Sequence, residues 1–310
     1  MKIGVVVDRE KRRIVSVHDR VMVDLAVTGL LSAEAAESVD AGLVELLTAP
    51  DARLAQLNEQ LTALIEAAAL CVNDIQNAQF LAPYRWGAKV LCQVVNYFAH
   101  GEEASINQPS KPFFFYKPAS SVAGTDAPLY THPLSKKLDY ECELAAVIGV
   151  PGRDITPEDA YRHIAGYLVM NDVSYRDLQF NEGFTDLNSS FGRNWTKGKG
   201  LDNSCILGPW ITLADEVPDP YRLRLRTFLN GETVQDESTS ESLFKLPELV
   251  AEASLGTTLQ TGDIIATGTP SGVGLGTGIY LKPGDKIECE IDQLGRISNL
   301  VTDERTEAYR

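Results

Sequence analysis

Leu138-Asp139-Tyr140-Glu141-Cys142-Glu143-Leu144-Ala145-Ala146-Val147-Ile148 is the stretch on which the reading of this 310-residue chain turns. Its second half is a short apolar run of strand length. On a strand, side chains alternate, so Glu141 and Glu143 leave one face while Cys142 and Leu144 leave the other. Two carboxylates that close together, entering an apolar strand, repel each other and lose hydration. A divalent cation resolves both problems. Glu-x-Glu alone also describes a solvated edge strand. Asp139 shares the parity and is either a further carboxylate or a turn residue.

Outward from this stretch the texture stays β-rich. Short extended runs occur at Lys89–Val95, Phe113–Tyr116, Cys142–Ile148, Ala165–Met170, Leu223–Leu229, Ile264–Ala266 and Lys286–Ile291. Between them lie turn signals: Pro151-Gly152, Gly208-Pro209, Asn230-Gly231 and Pro283-Gly284-Asp285. Asn230-Gly231 between two extended runs predicts a hairpin. Ser242–Ser254 is the best helical pattern, preceded by a Ser/Thr/Glu cluster suited to capping. Regular βα alternation is missing, so residues 81–310 read as a mostly β domain with minor helices.

Residues 1–80 read differently. Lys2–Val7 and Arg13–Val17 form two strands around the charged turn Asp8-Arg9-Glu10-Lys11, and Ala33–Leu47 and Ala52–Leu70 carry helical spacing. Pro50 separates the two helices, and Asp51 is the expected N-cap of the second. The expectation is a small α+β N-terminal domain with no catalytic cluster, which packs on the second domain or supports a dimer.

Composition narrows the function. The formal net charge is −15, with 28 basic and 43 acidic residues, and no basic block is present. Such a surface disfavours nucleic acid and anionic lipid. No apolar run approaches the ~20 residues of a membrane span. The apolar start MKIGVVV is too short for a secretory signal, so a cytoplasmic location is expected. The five cysteines (Cys71, Cys92, Cys142, Cys205, Cys289) are scattered without a CxxC pair, and each reads as a small buried hydrophobe.

Two further patterns bear on chemistry. The apolar run Gly166–Met170 ends in Asn171-Asp172-Val173-Ser174-Tyr175-Arg176-Asp177. Asp172 at the mouth of that strand is a third carboxylate. Three carboxylates without paired His or Cys favour Mg²⁺ or Mn²⁺ over zinc or copper. Arg176 would neutralise a carboxylate there or bind a substrate acid group. In Asn96-Tyr97-Phe98-Ala99-His100-Gly101-Glu102-Glu103, a helical turn places His100 and Glu103 on one face. A carboxylate beside imidazole raises its basicity, as a water-activating base requires, although His-x-x-Glu also describes a surface pair. The run Gly268–Gly276 lacks Gly-Lys-Ser/Thr and leads to Lys282-Pro283-Gly284-Asp285 and a strand, which excludes a P-loop.

These elements together resemble the fumarylacetoacetate hydrolase family from about Leu81 to Val301. The carrying residues are Asn96-Tyr97, His100 and Glu103; Lys117-Pro118; Tyr140-Glu141-Cys142-Glu143-Leu144; Asn171-Asp172-Val173-Ser174, Arg176 and Gln179; Lys197-Gly198-Lys199; Leu229-Asn230-Gly231-Glu232 with Gln235; and Thr261 to Gly274. The resemblance implies a mixed β-strand roll or sandwich, often homodimeric, with metal ligands at Glu141, Glu143 and Asp172. It implies catalytic roles for His100, Glu103, Lys117 and Lys199, and substrate contacts from Tyr97, Arg176, Gln179 and Thr269. The segment from Phe180 to Thr196 is longer than in the shortest relatives and is expected to reshape the pocket wall. Phe113-Phe114-Phe115 offers apolar bulk beside Lys117.

The activity so implied is hydrolysis of a C–C bond in an acylpyruvate or related β-diketone, through a metal-stabilised enolate. His100 would activate the water, and Lys117 or Lys199 would stabilise the oxyanion. The same site permits isomerisation or tautomerisation of a 2-oxo acid, or oxaloacetate-type decarboxylation. A metal-stabilised structural dimer is the non-enzymatic alternative.

Overall fold

In the computed structural model, which describes residues 1–8, 10–19, 21–67, 72–74 and 78–303, the Cys142–Ile148 strand is buried along its whole length inside a 12-stranded sheet. A strand apolar on both faces is stable only when both are covered, and both are. Leu144, Ala146 and Ile148 share a core with Leu225, Ile287, Ile291 and Ile297 of a second, five-stranded sheet. Ala145 and Val147 instead join Val90, Leu168, Leu43, Leu46 and Leu61. Glu141 and Glu143 keep the parity of this second set.

The strand pairs antiparallel with Ile164–Asp172, Glu143 lying opposite Met170, and with Ile264–Ala266 on its other side. Ile264–Ala266 runs parallel to Val90–Gln93, which pairs with Phe114–Lys117. In the other direction follow Cys205–Leu213, Lys2–Asp8, Lys11–His18 and Val21–Asp24. The second sheet contains Arg224–Leu229 and Glu232–Ser238, joined at Asn230-Gly231. Both turn residues have positive φ, 52° and 89°, the geometry that the Asn-Gly pair adopts readily. The architecture is the expected α+β, mostly β fold with mixed pairing.

Several local expectations are corrected. Gly208-Pro209 is not a turn but lies inside the nine-residue strand Cys205–Leu213. Proline has no N–H for the ladder, and the pairing with Ile164–Asp172 shifts between Tyr167 and Val169. The helix expected over Ala33–Leu47 is two, Ala33–Glu37 and Val39–Leu47, because extended Ser38 interrupts it and caps the second through its hydroxyl. Pro50, not Asp51, is the N-cap of Asp51–Glu66. The helix expected over Ser242–Ser254 begins at Leu246. Cys92, Cys142, Cys205 and Cys289 are free and buried. Arg9 in the expected turn, Leu70 at the end of the expected second helix and Cys71 lie outside the described residues.

The described strands of the first eighty residues extend the 12-stranded sheet: Lys2–Asp8 pairs directly with Cys205–Leu213. In our proposal, the boundary at residue 80/81 separates chemistry from support rather than one packed body from another. Ile3, Val5, Leu43, Leu46, Leu57 and Leu61 are all buried in the core that backs Ala145 and Val147. At roughly 1.5–3 kcal/mol each, these six side chains match the entire net stability of a typical domain, about 5–15 kcal/mol. A protein comprising residues 81–310 is therefore expected to aggregate or to lose its cooperative thermal transition. An unchanged transition by circular dichroism would overturn this.

Candidate active site

Strand pairing assembles the acidic cluster. Glu141 immediately precedes the Cys142–Ile148 strand, Glu143 is its second residue and Asp172 ends the antiparallel neighbour. The Asp172 N–H donates to the Glu141 carbonyl at 2.8 Å, which fixes the two side by side. Carboxylate oxygens of Glu141, Glu143 and Asp172 lie within 4.8 Å of one another, and all three residues are buried. The Gly268 N–H donates to Glu143 at 2.7 Å. Gly268 has φ +87°, and a Cβ there would sit 2.8 Å from that of Asn96, so glycine brings the backbone this close.

The three carboxyls differ electrostatically. Burial, then Asp172 and Glu141, push Glu143 well above the usual carboxylate range. Burial also pushes Glu141 upward, but Arg176 and Lys199 outweigh it and hold that group well below. Asp172 is raised by burial against the opposing pull of Lys117 and Lys199. Lys199 Nζ donates to Glu141 Oε2 at 2.5 Å and to Asp172 Oδ2 at 2.7 Å. Lys117 Nζ bonds Asp172 Oδ1 at 2.5 Å and the Val173 carbonyl at 3.1 Å. Arg176 pairs with Glu141 and, through Nε, with Asp139 Oδ2 at 2.7 Å.

Asp139 belongs to neither alternative expected of it. It is fully buried, yet it turns from the cluster to accept the N–H groups of Gly274 (2.6 Å) and Leu275 (2.9 Å). It thus ties the glycine-rich loop to Arg176. Four buried carboxylates (Asp139, Glu141, Glu143, Asp172) face three buried cations (Lys117, Arg176, Lys199). The all-oxygen donor set fits a hard divalent ion, whose charge would displace the proton that burial favours on Glu143.

His100 and Glu103 share the short helix Phe98–Glu103, as expected, but they are not hydrogen-bonded to each other. His100 Nδ1 lies 3.9 Å from Glu103 Oε2 and is buried without a hydrogen-bond partner. The Glu103 carboxylate instead accepts the Gly272 N–H at 3.0 and 3.1 Å. His100, Glu141, Glu143, Arg176, Gln179, Lys199 and Thr269 line one cavity of about 40 Å³. Lys117 stands behind Asp172, Glu103 behind His100, and buried Tyr97 does not line the cavity.

Sequence reasoning pointed to the segments that form the wall but did not single out its rings. Phe115 lines it and stacks on Trp195, with centroids 4.7 Å and planes 13° apart. Phe180, Ile106 and Leu275 add apolar surface. The signals were present: Phe115 belongs to the phenylalanine run, and Phe180 and Trp195 belong to the long 180–196 segment. That segment folds into the helix Thr185–Phe191 and the start of Trp195–Lys199, so it does shape the pocket.

Residues 89–302 match the family model described as Fumarylacetoacetate (FAA) hydrolase C-terminal. The chain is 40% identical over 237 residues to a mitochondrial oxaloacetate tautomerase of Homo sapiens, covering 76% of this chain and 73% of that protein. It is 34% identical over 312 residues to an oxaloacetate tautomerase of Bacillus subtilis, covering 97% and 96%. Among solved structures, a maleylpyruvate hydrolase of Sphingobium sp. SYK-6, in complex with manganese(II) ion and pyruvate, superimposes with a TM-score of 0.75 at 28% identity over 98% of this chain and 99% of that one.

Proposed function

Because the chain belongs to the fumarylacetoacetate hydrolase family, we propose that it is a divalent-metal-dependent tautomerase, interconverting the keto and enol forms of oxaloacetate or a closely related 2-oxo acid. The observation that carries this reading over hydrolysis is the state of His100. His100 lines the cavity and its Nδ1 has no hydrogen-bond partner among the described residues, while the Glu103 carboxylate accepts the Gly272 N–H and lies 3.9 Å from that nitrogen. Proton transfer at carbon needs a dry, positioned base. Activation of water for acyl cleavage draws on the polarised pair.

Mg²⁺ or Mn²⁺ held by Glu141, Glu143 and Asp172 would supply Lewis-acid polarisation of the 2-oxo and carboxylate oxygens. His100 takes a proton from C3 of the keto form while the C2 oxygen takes one up from solvent to give the enol, and both transfers reverse in the return direction. Lys199, 2.5 Å from Glu141, offers its ammonium as hydrogen-bond donor to the oxygen that gains charge. Lys117, through Asp172, holds the position of that carboxylate. Arg176, Gln179 and Thr269 orient the substrate, and the Phe115–Trp195 stack excludes water.

The test is a panel assay with Mg²⁺ and Mn²⁺: oxaloacetate enol–keto exchange, oxaloacetate decarboxylation and cleavage of acylpyruvates. Faster tautomerisation than with free metal supports the proposal; acylpyruvate cleavage without it would overturn it. Hydrolysis is the second reading, favoured by the shared helix face of His100 and Glu103 and by the hydrolase among the structural relatives. A cytoplasmic homodimer is also proposed as its setting, checked by sedimentation velocity and by fractionation of cells. Among the described residues no helix is long and apolar enough to cross a membrane.

A further inference from the structure

Gln235 lies in the Glu232–Ser238 strand of the second sheet, outside the acidic cluster. Its side chain is buried and fully engaged. Nε2 donates to Thr269 Oγ1 at 2.9 Å and to the Pro270 carbonyl at 2.9 Å, while Oε1 accepts from Thr227 Oγ1 at 2.7 Å and from the Cys142 N–H at 3.4 Å. The amide has only one possible orientation. A carbonyl can only accept and a backbone N–H can only donate, so the nitrogen must face Pro270 and the oxygen must face Cys142.

This orientation decides the direction of the hydroxyl. Thr269 Oγ1 accepts the Gln235 N–H, so its own proton is left to donate elsewhere. Among the described residues that proton meets no protein acceptor, and Thr269 lines the cavity that Glu141, Glu143 and His100 also line. Without Gln235, the hydroxyl would be free to turn its proton to the Pro270 carbonyl or to another acceptor. The same amide also reaches the backbone between Glu141 and Glu143, at Cys142.

We propose that Gln235 is a positioning residue which makes Thr269 an obligate hydrogen-bond donor to an anionic oxygen of the bound 2-oxo acid. Thr227 supports it by fixing Oε1. The five-stranded sheet thereby takes part in substrate binding through one amide. The inference rests on the reading of the cavity as a 2-oxo acid site.

The experiment uses the full-length protein loaded with Mn²⁺, and pyruvate as the probe, with dissociation constants from calorimetry. Gln235→Met and Thr269→Val are each expected to weaken pyruvate binding by about tenfold, the loss of one hydrogen bond to a charged group. Mn²⁺ affinity is expected to be unchanged in both. In turnover, both raise KM more than they lower kcat. The double variant is expected to bind no more weakly than Thr269→Val, because on this proposal Gln235 meets the bound acid through that hydroxyl alone. Thr227→Val, isosteric and one bond further out, shows a smaller shift of the same kind and decides the matter if Gln235→Met does not fold.

Undiminished pyruvate binding in Gln235→Met or Thr269→Val, or multiplied losses in the double variant, would overturn the role. If wild-type Mn²⁺-loaded protein fails to bind pyruvate, the 2-oxo acid reading falls and this inference with it. If it binds and only the Gln235 and Thr227 variants are silent, the reading stands and the inference alone is lost.

Discussion

Glu143→Gln is expected to weaken Mn²⁺ binding by at least about 100-fold, a larger loss than that of an outer-shell partner. Turnover should fall by about 10³-fold or more, because several kcal/mol of charge stabilisation disappear. The amide is isosteric and can still accept the Gly268 N–H, so the thermal transition should survive. Titration of the variant with Mn²⁺ by calorimetry checks this, and full binding with full turnover would remove Glu143 from the ligand set. A pH signature accompanies it. The Glu143 carboxyl is held well above its ordinary range by burial and by Asp172, so metal uptake must release a proton and affinity must fall on acidification. The sign for stability follows. Folded metal-free protein binds this proton more tightly than unfolded chain, so the group's contribution declines as pH rises above the ordinary glutamate range. Metal should therefore stabilise the protein more at neutral pH than at pH 5.

His100→Ala is the second large effect: tautomerisation should slow by about 10²–10⁴-fold, the usual contribution of a positioned general base. Affinity for Mn²⁺ and for pyruvate should remain near wild type, because the imidazole is no part of the carboxylate cluster. Glu103→Gln separates the readings. At 3.9 Å from Nδ1 and bonded to Gly272, Glu103 offers His100 only a loose ion pair, so its loss should slow tautomerisation by less than about tenfold. Hydrolysis of an acylpyruvate would suffer far more from the same change. The measurement is exchange of C3 protons with solvent deuterium beside product release in each variant. Near wild-type exchange in His100→Ala would move the base to another residue.

The parts of this fold that were legible in sequence are those with local causes. The Cys142–Ile148 strand is bounded as expected because a short apolar run between the glutamates and the turn residues Gly149-Val150-Pro151-Gly152 has few alternatives. The Asn230-Gly231 hairpin is likewise written into two residues. The same parity rule that defines the strand places Glu141 and Glu143 together. What stayed hidden was non-local. Cys205–Leu213 carries Gly-Pro, a pair that ordinarily ends a strand, and only the ladders on either side keep it extended. The attachment of Lys2–Asp8 to that strand leaves no mark in either segment. Asp139 was ambiguous because its partners, Gly274 and Leu275, lie far along the chain. The 180–196 segment was expected in the pocket wall, but the stack of Phe115 on Trp195 was not, because the two rings meet only in three dimensions.

The pairing of Lys2 with Thr212 also bears on how the chain is made. At about 5–20 residues per second, the ribosome needs roughly 10–40 s to supply the partner of the first strand. Through that interval the hairpin of Lys2–Asp8 and Lys11–His18 presents Lys2–Gly4 as an open edge, while Val5 and Val6 have Leu81 and Phe80 as earlier partners. Such an edge is a template for pairing with other nascent chains. Completion of the sheet at Lys2–Gly4 must await the late arrival of Cys205–Leu213, so soluble yield is expected to rise when translation is slowed after residue 213 rather than before it.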